Sequence, residues 1–318
     1  MSTPLQNAAL IAARDCMGLR PGEKVAVITD EPCRSIGRAL FDVVHEQGNE
    51  VFLVEMTPRR VPGEEPPAEV AELMKRMDLV FCPTSMSMTH TDAKRSAQAL
   101  GVRICTLPGI TEEVMVRCMN ADYFAIAERT NKLANLLDRT SVVKVTAPAG
   151  TNLTMPVRGR KAIASHGLFR EKGTGGNLPT GEAFLAPLEG ESEGILVVDG
   201  SMAALGKVTR PLRIVVKKGY GEEVTGGPEA EKLLRIWEEK GRLARNVAEF
   251  GIGTNDKAVI SGVILEDEKV MGTIHVAFGD NISMGGSVRV QSHLDGLVTK
   301  PTVMFDGRKI LEDGKMLV

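Results

Sequence analysis

The sequence predicts an α/β protein: an N-terminal doubly wound parallel-sheet domain over residues 1–140, followed by a β-rich α+β domain over residues 141–318. Three observations predict it. Short apolar runs alternate with amphipathic helical stretches through the first 110 or so residues, the pattern of a parallel sheet with helices on both faces. From about Ser141 the texture changes to short strands separated by glycine turns. A length of 318 with 43% hydrophobic residues suffices for two packed domains.

Taken in order, "TPLQNAALIAARDCMG" reads as a capped helix ending at Gly18, and "KVAVITD" as a buried strand. "RSIGRALFDVVHEQG" is an amphipathic helix ending at Gly48, followed by the strand "EVFLVEM". The Pro-rich, charged "TPRRVPGEEPP" reads as a mobile loop. "PAEVAELMKRM" with "DLVFCPT", and "TDAKRSAQALG" with "VRICTLP", repeat the helix–strand unit, and one long helical stretch runs from Thr111 to Arg139. In the second half, "SVVKVTAPAGTNLTMPV", "GILVVDGSMAALG", "PLRIVVKKG", "KAVISGVIL", "GTIHVAFGD" and "PTVMFDGRKI" read as strands. One helix, "PEAEKLLRIWEEKGRLARNVAEFG", interrupts them.

Several classes are excluded. A net charge of -2 gives no electrostatic case for nucleic acid or an anionic membrane. No apolar run approaches the roughly 20 residues of a membrane span, and the first residues lack the basic start of a signal peptide, so a cytoplasmic protein is expected. Cys16, Cys33, Cys82, Cys105 and Cys118 are odd in number and scattered, which argues for reduced, buried thiols. After the first strand stands "TDEPCRS" in place of G-x-G-x-x-G, so a dinucleotide site has no support. Gly176 and Gly181 have phosphate-loop spacing, but Glu182 follows where lysine is needed, and a carboxylate repels phosphate.

Five residues remain as candidates. Glu182 emerges from the rigid "NLPTGE" turn against the apolar "AFLAP", where an acid calls for a cationic partner. Glu249 closes the predicted helix, an unfavourable place for a carboxylate unless a cation faces it. His275 lies inside an apolar strand. His293 and Asp295, in "QSHLDG", stand two apart, so on a strand they point to the same face. Each alone is compatible with an ordinary surface or core residue. Together, imidazoles and carboxylates without thiolate suit zinc, cobalt, manganese or iron.

The segments "GTNLTM", "GGNLPTGEAFLAP", "AEFGIGTN", "GTIHVAFGDN" and "SHLDGLVTKPTVMFDG", in that order, resemble the thermophilic metallo-aminopeptidases of the aminopeptidase T type over residues 149–318. The resemblance implies a metal-dependent aminopeptidase in which two divalent ions (Zn, Co or Mn) are held by Glu182, Glu249, His275, His293 and Asp295. It implies a water activated between the ions, with Glu249 as proton acceptor or bridge, a small peptide substrate, and a homodimer. Ile282 stands where that family places a tyrosine seven residues after the strand histidine, and the interval from His275 to His293 is short. The 2,5-dihydroxypyridine dioxygenases carry a comparable H…H-x-D set for a single Fe(II), which here implies His275, His293 and Asp295. A non-enzymatic α/β protein with a closed, structural metal site is the third expectation.

Overall fold

The computed structural model describes residues 2–318. In chain order, α1 (Pro4–Ile11) starts on a capping box: Thr3 Oγ1 accepts from the Gln6 N–H at 3.2 Å, and the Gln6 side chain accepts from the Thr3 N–H at 2.8 Å. Thr3→Ala is therefore expected to cost about 1 kcal/mol in chemical denaturation; an unchanged midpoint would remove the cap from the account. The helix widens into a π-helical turn at Ala12–Cys16 before Gly18, whose φ is +57°. Then follow β1 (Lys24–Asp30), α2 (Arg34–Glu46), β2 (Glu50–Met56), α3 (Ala68–Met74), β3 (Leu79–Thr84), α4 (Asp92–Ala99) and β4 (Arg103–Pro108). These boundaries fall within a residue or three of the sequence reading, because each element begins or ends on a cap, glycine or proline. The predicted helix Thr111–Arg139 is instead two, α5 (Glu112–Met119) and α6 (Tyr123–Leu137). Asn120 leaves helical geometry (φ -80°, ψ 47°), and Asp122 accepts from the Phe124 and Ala125 N–H groups, which starts a new helix.

The remaining elements are β5 (Val142–Thr146), β6 (Asn152–Pro156), β7 (Ile163–Ser165), β8 (Gly175–Asn177), β9 (Glu182–Leu185), β10 (Glu193–Val198), β11 (Ser201–Met202), β12 (Gly206–Lys207), β13 (Leu212–Lys217), β14 (Tyr220–Thr225), α7 (Pro228–Lys240), β15 (Val247–Gly253), α8 (Ile264–Asp267), β16 (Ile274–Gly279), β17 (His293–Val298), β18 (Thr302–Phe305), β19 (Arg308–Glu312) and β20 (Lys315–Met316). Two predicted elements differ. The long helix ends at Lys240 because Gly241 adopts φ +82°; the chain then passes through a 3₁₀ turn into β15, so Glu249 lies on a strand and not at a helix end. "KAVISGVIL" forms no strand. Its backbone N–H groups at Val259, Ser261 and Gly262 bond instead to the carboxylates of Glu266 and Asp267, and the chain turns into α8.

The contacts divide the chain into two units, and these are not two consecutive lengths of chain. The first comprises residues 1–127 and 167–180; the second comprises 128–166 and 181–318. The first unit is a parallel sheet in the order β2-β1-β3-β4-β8. α3 and α4 bury Val70, Met74, Ala93 and Ala97 against Ile28, Val80 and Ile104 on one face, while α1, α2 and α5 pack together around the other strand faces. All five cysteines lie buried in this unit, none of them in a disulfide. The second unit contains two antiparallel sheets, β14-β13-β10-β6-β5-β18-β19-β20 and β12-β11-β17-β16-β15-β9-β7. They share one core, in which Phe250 of β15 meets Phe305 of β18 edge to face, and Trp237 of α7 meets Phe278 of β16. No helix among the described residues is long and apolar enough to cross a membrane.

Candidate metal centre

The seven-stranded sheet of the second unit places all five predicted residues on one face. Along β15 and β16 the core takes Phe250, Ile252, Ile274, Val276 and Phe278. With side chains alternating along a strand, Glu249 and His275 point the other way. The same alternation sends Ala183 and Leu185 of β9, and Leu294 and Val298 of β17, into the core, leaving Glu182, His293 and Asp295 on the opposite face. The register then brings them together: Glu249 pairs with Ala277, which pairs with Asp295, and His275 pairs with Gly251 on one side and Leu297 on the other. Glu182 pairs with Gly253 at the far side of β15, and His293 pairs with Gly279. Gly251 and Gly253, between the long polar side chains, leave their places to the His275 ring and to the Lys269–Val270 backbone. At Gly251 an added Cβ would stand 2.0 Å from His275 Nε2. A register irregularity between Val247 and Glu249 marks the strand where Glu249 is aimed.

Glu249 is the centre of the network. One carboxylate oxygen lies 3.1 Å from His275 Nε2 and the other 3.1 Å from His293 Nε2. His293 Nδ1 lies 2.8 Å from the Asp280 carbonyl, which can only accept, so that nitrogen carries the proton and Nε2 is left to face the site. His293 Nε2 also lies 3.4 Å from Asp295 Oδ1, yet that oxygen makes no hydrogen bond.

Two residues that the sequence reading did not single out complete the site. Lys269 Nζ lies 2.8 Å from Glu182 Oε1 and also contacts Glu268. They come from "EDEK", a run that reads as solvated surface; Glu266, Asp267 and Lys269 are in fact buried, and Glu268 partly so. The only clue in the sequence is its position, five to eight residues before a fully buried strand.

Among the described residues, two groups of three hold ligand atoms within 4.8 Å of one another: Glu249, His293 and Asp295, and Glu182, Glu268 and His275. The triad His275, His293 and Asp295 is thus not one group. His275 sits one step along the sheet from the Glu249–Ala277–Asp295 row, on the Glu182 side, and its nitrogen lies 3.6 Å from Glu182 Oε2. Buried oxygens without a hydrogen bond remain in each group, Asp295 Oδ1 and Glu182 Oε2.

The electrostatics reflect four carboxylates on one face. Burial pushes Glu182 up and Glu268 up to about 8. Burial opposes ionisation of Glu249 and Asp295 too, but hydrogen bonds from His275 and His293 hold Glu249 down, and the charge of His293 brings Asp295 to about 2. Burial disfavours charge on the histidines, yet Glu249 drives His275 up to about 9, and Asp295 and Glu249 hold His293 well above its ordinary range. The face stabilises positive charge strongly. Oxygen-rich groups with one imidazole each, an unsatisfied buried oxygen and a tautomer fixed from outside fit a divalent ion of the iron or manganese kind.

The family model described as NicX: 2,5-dihydroxypyridine 5,6-dioxygenase matches residues 11–318. The chain belongs to the NicX family. Its fold is similar to that of 2,5-dihydroxypyridine dioxygenase from Pseudomonas putida, with a TM-score of 0.85 over 100% of this chain and 99% of that one, at 18% identity. It is also similar to wild-type AmpT from Thermus thermophilus, with a TM-score of 0.73 over 99% of each chain, at 17% identity. No curated protein sequence matches significantly. At these identities the two structures show the shared fold alone.

NicX membership corrects the functional expectation. The resemblance to aminopeptidase T holds for the fold, and the reading as a peptide hydrolase of that family does not. The motifs that carried it lie on β9, β15, β16 and β17, the strands that build this face. A divalent metal is supported by the residue groups of the NicX chain, whereas a set of two zinc, cobalt or manganese ions is not.

Proposed function

We propose that this chain is a ring-cleaving dioxygenase that uses one ferrous ion and acts on a hydroxylated pyridine. The family match across residues 11–318 carries the reading, and the Glu249–His293–Asp295 group, whose ligand atoms lie close enough for one ion, supports it. Those three residues would hold the ion. A bound ferrous ion supplies the dioxygen chemistry that side chains lack.

The chain's own residues do the rest. The Asp280 carbonyl holds the His293 ring so that Nε2 faces Asp295 and Glu249. His275 hydrogen-bonds Glu249 from the other side, fixing the orientation of a carboxylate that would otherwise rotate. The absence of a side chain at Gly251 lets the His275 ring lie across the sheet at that point. Burial of Glu182, Glu249, His275 and Asp295 keeps bulk water from competing for the site.

Protein reconstituted with ferrous iron under anaerobic conditions, then mixed with oxygen and 2,5-dihydroxypyridine, is expected to consume oxygen and bleach the ring's ultraviolet absorbance, at roughly 1–100 turnovers per second. Unblocked peptides should release no N-terminal residue with cobalt, zinc or manganese. Iron held at one ion per chain without oxygen uptake on any dihydroxylated pyridine would rule the substrate class out.

A further inference from the structure

We propose that Lys269 is a resident cation that fills the Glu182–Glu268 group and restricts the chain to one divalent ion, held by Glu249, His293 and Asp295. The inference rests on the metal-dependent reading above and adds to it the reason for a single ion.

The face holds two groups of ligand atoms, each compact enough for a metal, and Glu249 touches a histidine of both. Such an arrangement invites two ions. The groups differ in one respect: the ammonium of Lys269 lies 2.8 Å from Glu182 Oε1 and contacts Glu268, so two of its three N–H donors are spent on the carboxylates a second ion would need. The other group has two carboxylates and one imidazole nitrogen, and no lysine or arginine of the described residues forms an ion pair with it; the charge of Lys269 reaches Asp295 only from a distance.

The lysine cannot easily leave. Its side chain is 2% exposed. Its N–H bonds to the Glu266 carbonyl at 2.9 Å, and its own carbonyl accepts from Asn255 N–H at 2.9 Å. Glu266 and Asp267 tie the preceding loop to the same turn. Gly253 lets that turn lie against β15: a Cβ there would stand 2.2 Å from the Val270 carbonyl oxygen and 2.7 Å from the Lys269 carbonyl carbon. The backbone thus delivers the ammonium to one place. A divalent ion bound on the same oxygens would face a fixed positive charge at contact distance, and exchanging an intramolecular ammonium for a metal would leave the lysine buried without a partner.

The test is metal stoichiometry. Wild type, Lys269→Ala and Glu182→Gln/Lys269→Ala are equilibrated anaerobically with ferrous iron and, separately, with manganese(II), freed of loose metal and measured by elemental analysis per folded chain. Circular dichroism verifies folding. Wild type is expected to hold one ion, Lys269→Ala two, and the double variant one, because the second ion needs Glu182. Lys269→Ala should also gain thermal stability in two steps as manganese is added, where wild type gains it in one. Should Lys269→Ala not fold, Lys269→Asn, which keeps a polar group in less volume, carries the same comparison. Two ions in wild type overturn the proposal. One ion in a folded position-269 variant overturns it while the metal reading stands. No ion in wild type overturns both.

Discussion

Asp295→Ala and His293→Ala are each expected to lower metal affinity by on the order of 100-fold or more, at least the effect typical of losing a partner of a ligand, while the fold is retained. Asp295 and His293 lie on the site face of β17; Leu294 and Val298, which anchor the strand in the core, point the other way. Losing Asp295 removes the carboxylate whose Oδ1 is buried and unbonded, the atom whose desolvation a bound ion repays. Losing His293 removes the imidazole whose tautomer the Asp280 carbonyl fixes. Titration with manganese(II) by calorimetry, beside far-ultraviolet circular dichroism, separates ligand loss from unfolding. Wild-type affinity in both variants would mean that the ion sits elsewhere.

Gly251→Ala should damage both stability and turnover. The new Cβ would stand 2.0 Å from His275 Nε2 and 2.3 Å from its Cε1, and His275 is fully buried, so the ring cannot swing into solvent. Overpacking of this kind costs about 1–3 kcal/mol. Displacing His275 frees one oxygen of Glu249 from its 3.1 Å contact, and a misplacement of about 1 Å in a catalytic site costs on the order of 10²-fold in rate. The double variant Gly251→Ala/His275→Ala removes the clash and should recover stability but not turnover. If the double variant is less stable than the sum of the two single changes predicts, the clash is not the cause.

Much of this was legible in the sequence because it depends on local chemistry. Glycine, proline and capping residues set the ends of β1, α2, β2 and β4, and the apolar run of β16 identifies a buried strand whatever surrounds it. The H-x-D spacing gave a shared face for His293 and Asp295 as soon as the segment was read as strand. Glu182 and His275 were also found as candidates, from an acid and an imidazole set against apolar neighbours, and Glu249 from a helix end that the structure replaces with a strand.

What failed depended on partners distant in sequence. "ARNVAEFG" continues a helical period, and only Gly241 at φ +82°, together with the pairing of β15 between β9 and β16, makes it a strand. "EDEK" has the composition of surface; its burial follows from the loop at residues 259–262, whose free N–H groups Glu266 and Asp267 satisfy, and from the carboxylate of Glu182, 87 positions away from Lys269 in the chain. The sequence by itself determined which residues carry charge and imidazole, and that His275, His293 and Asp295 stand on strands; that Glu249 stands on a strand of the same face was not legible in it. Which of them meet, that His275 sides with Glu182 rather than with Asp295, and that a lysine already stands in one group were decided only by sheet register, because a shift of two residues along a strand keeps a side chain on its face but moves it to a different neighbour.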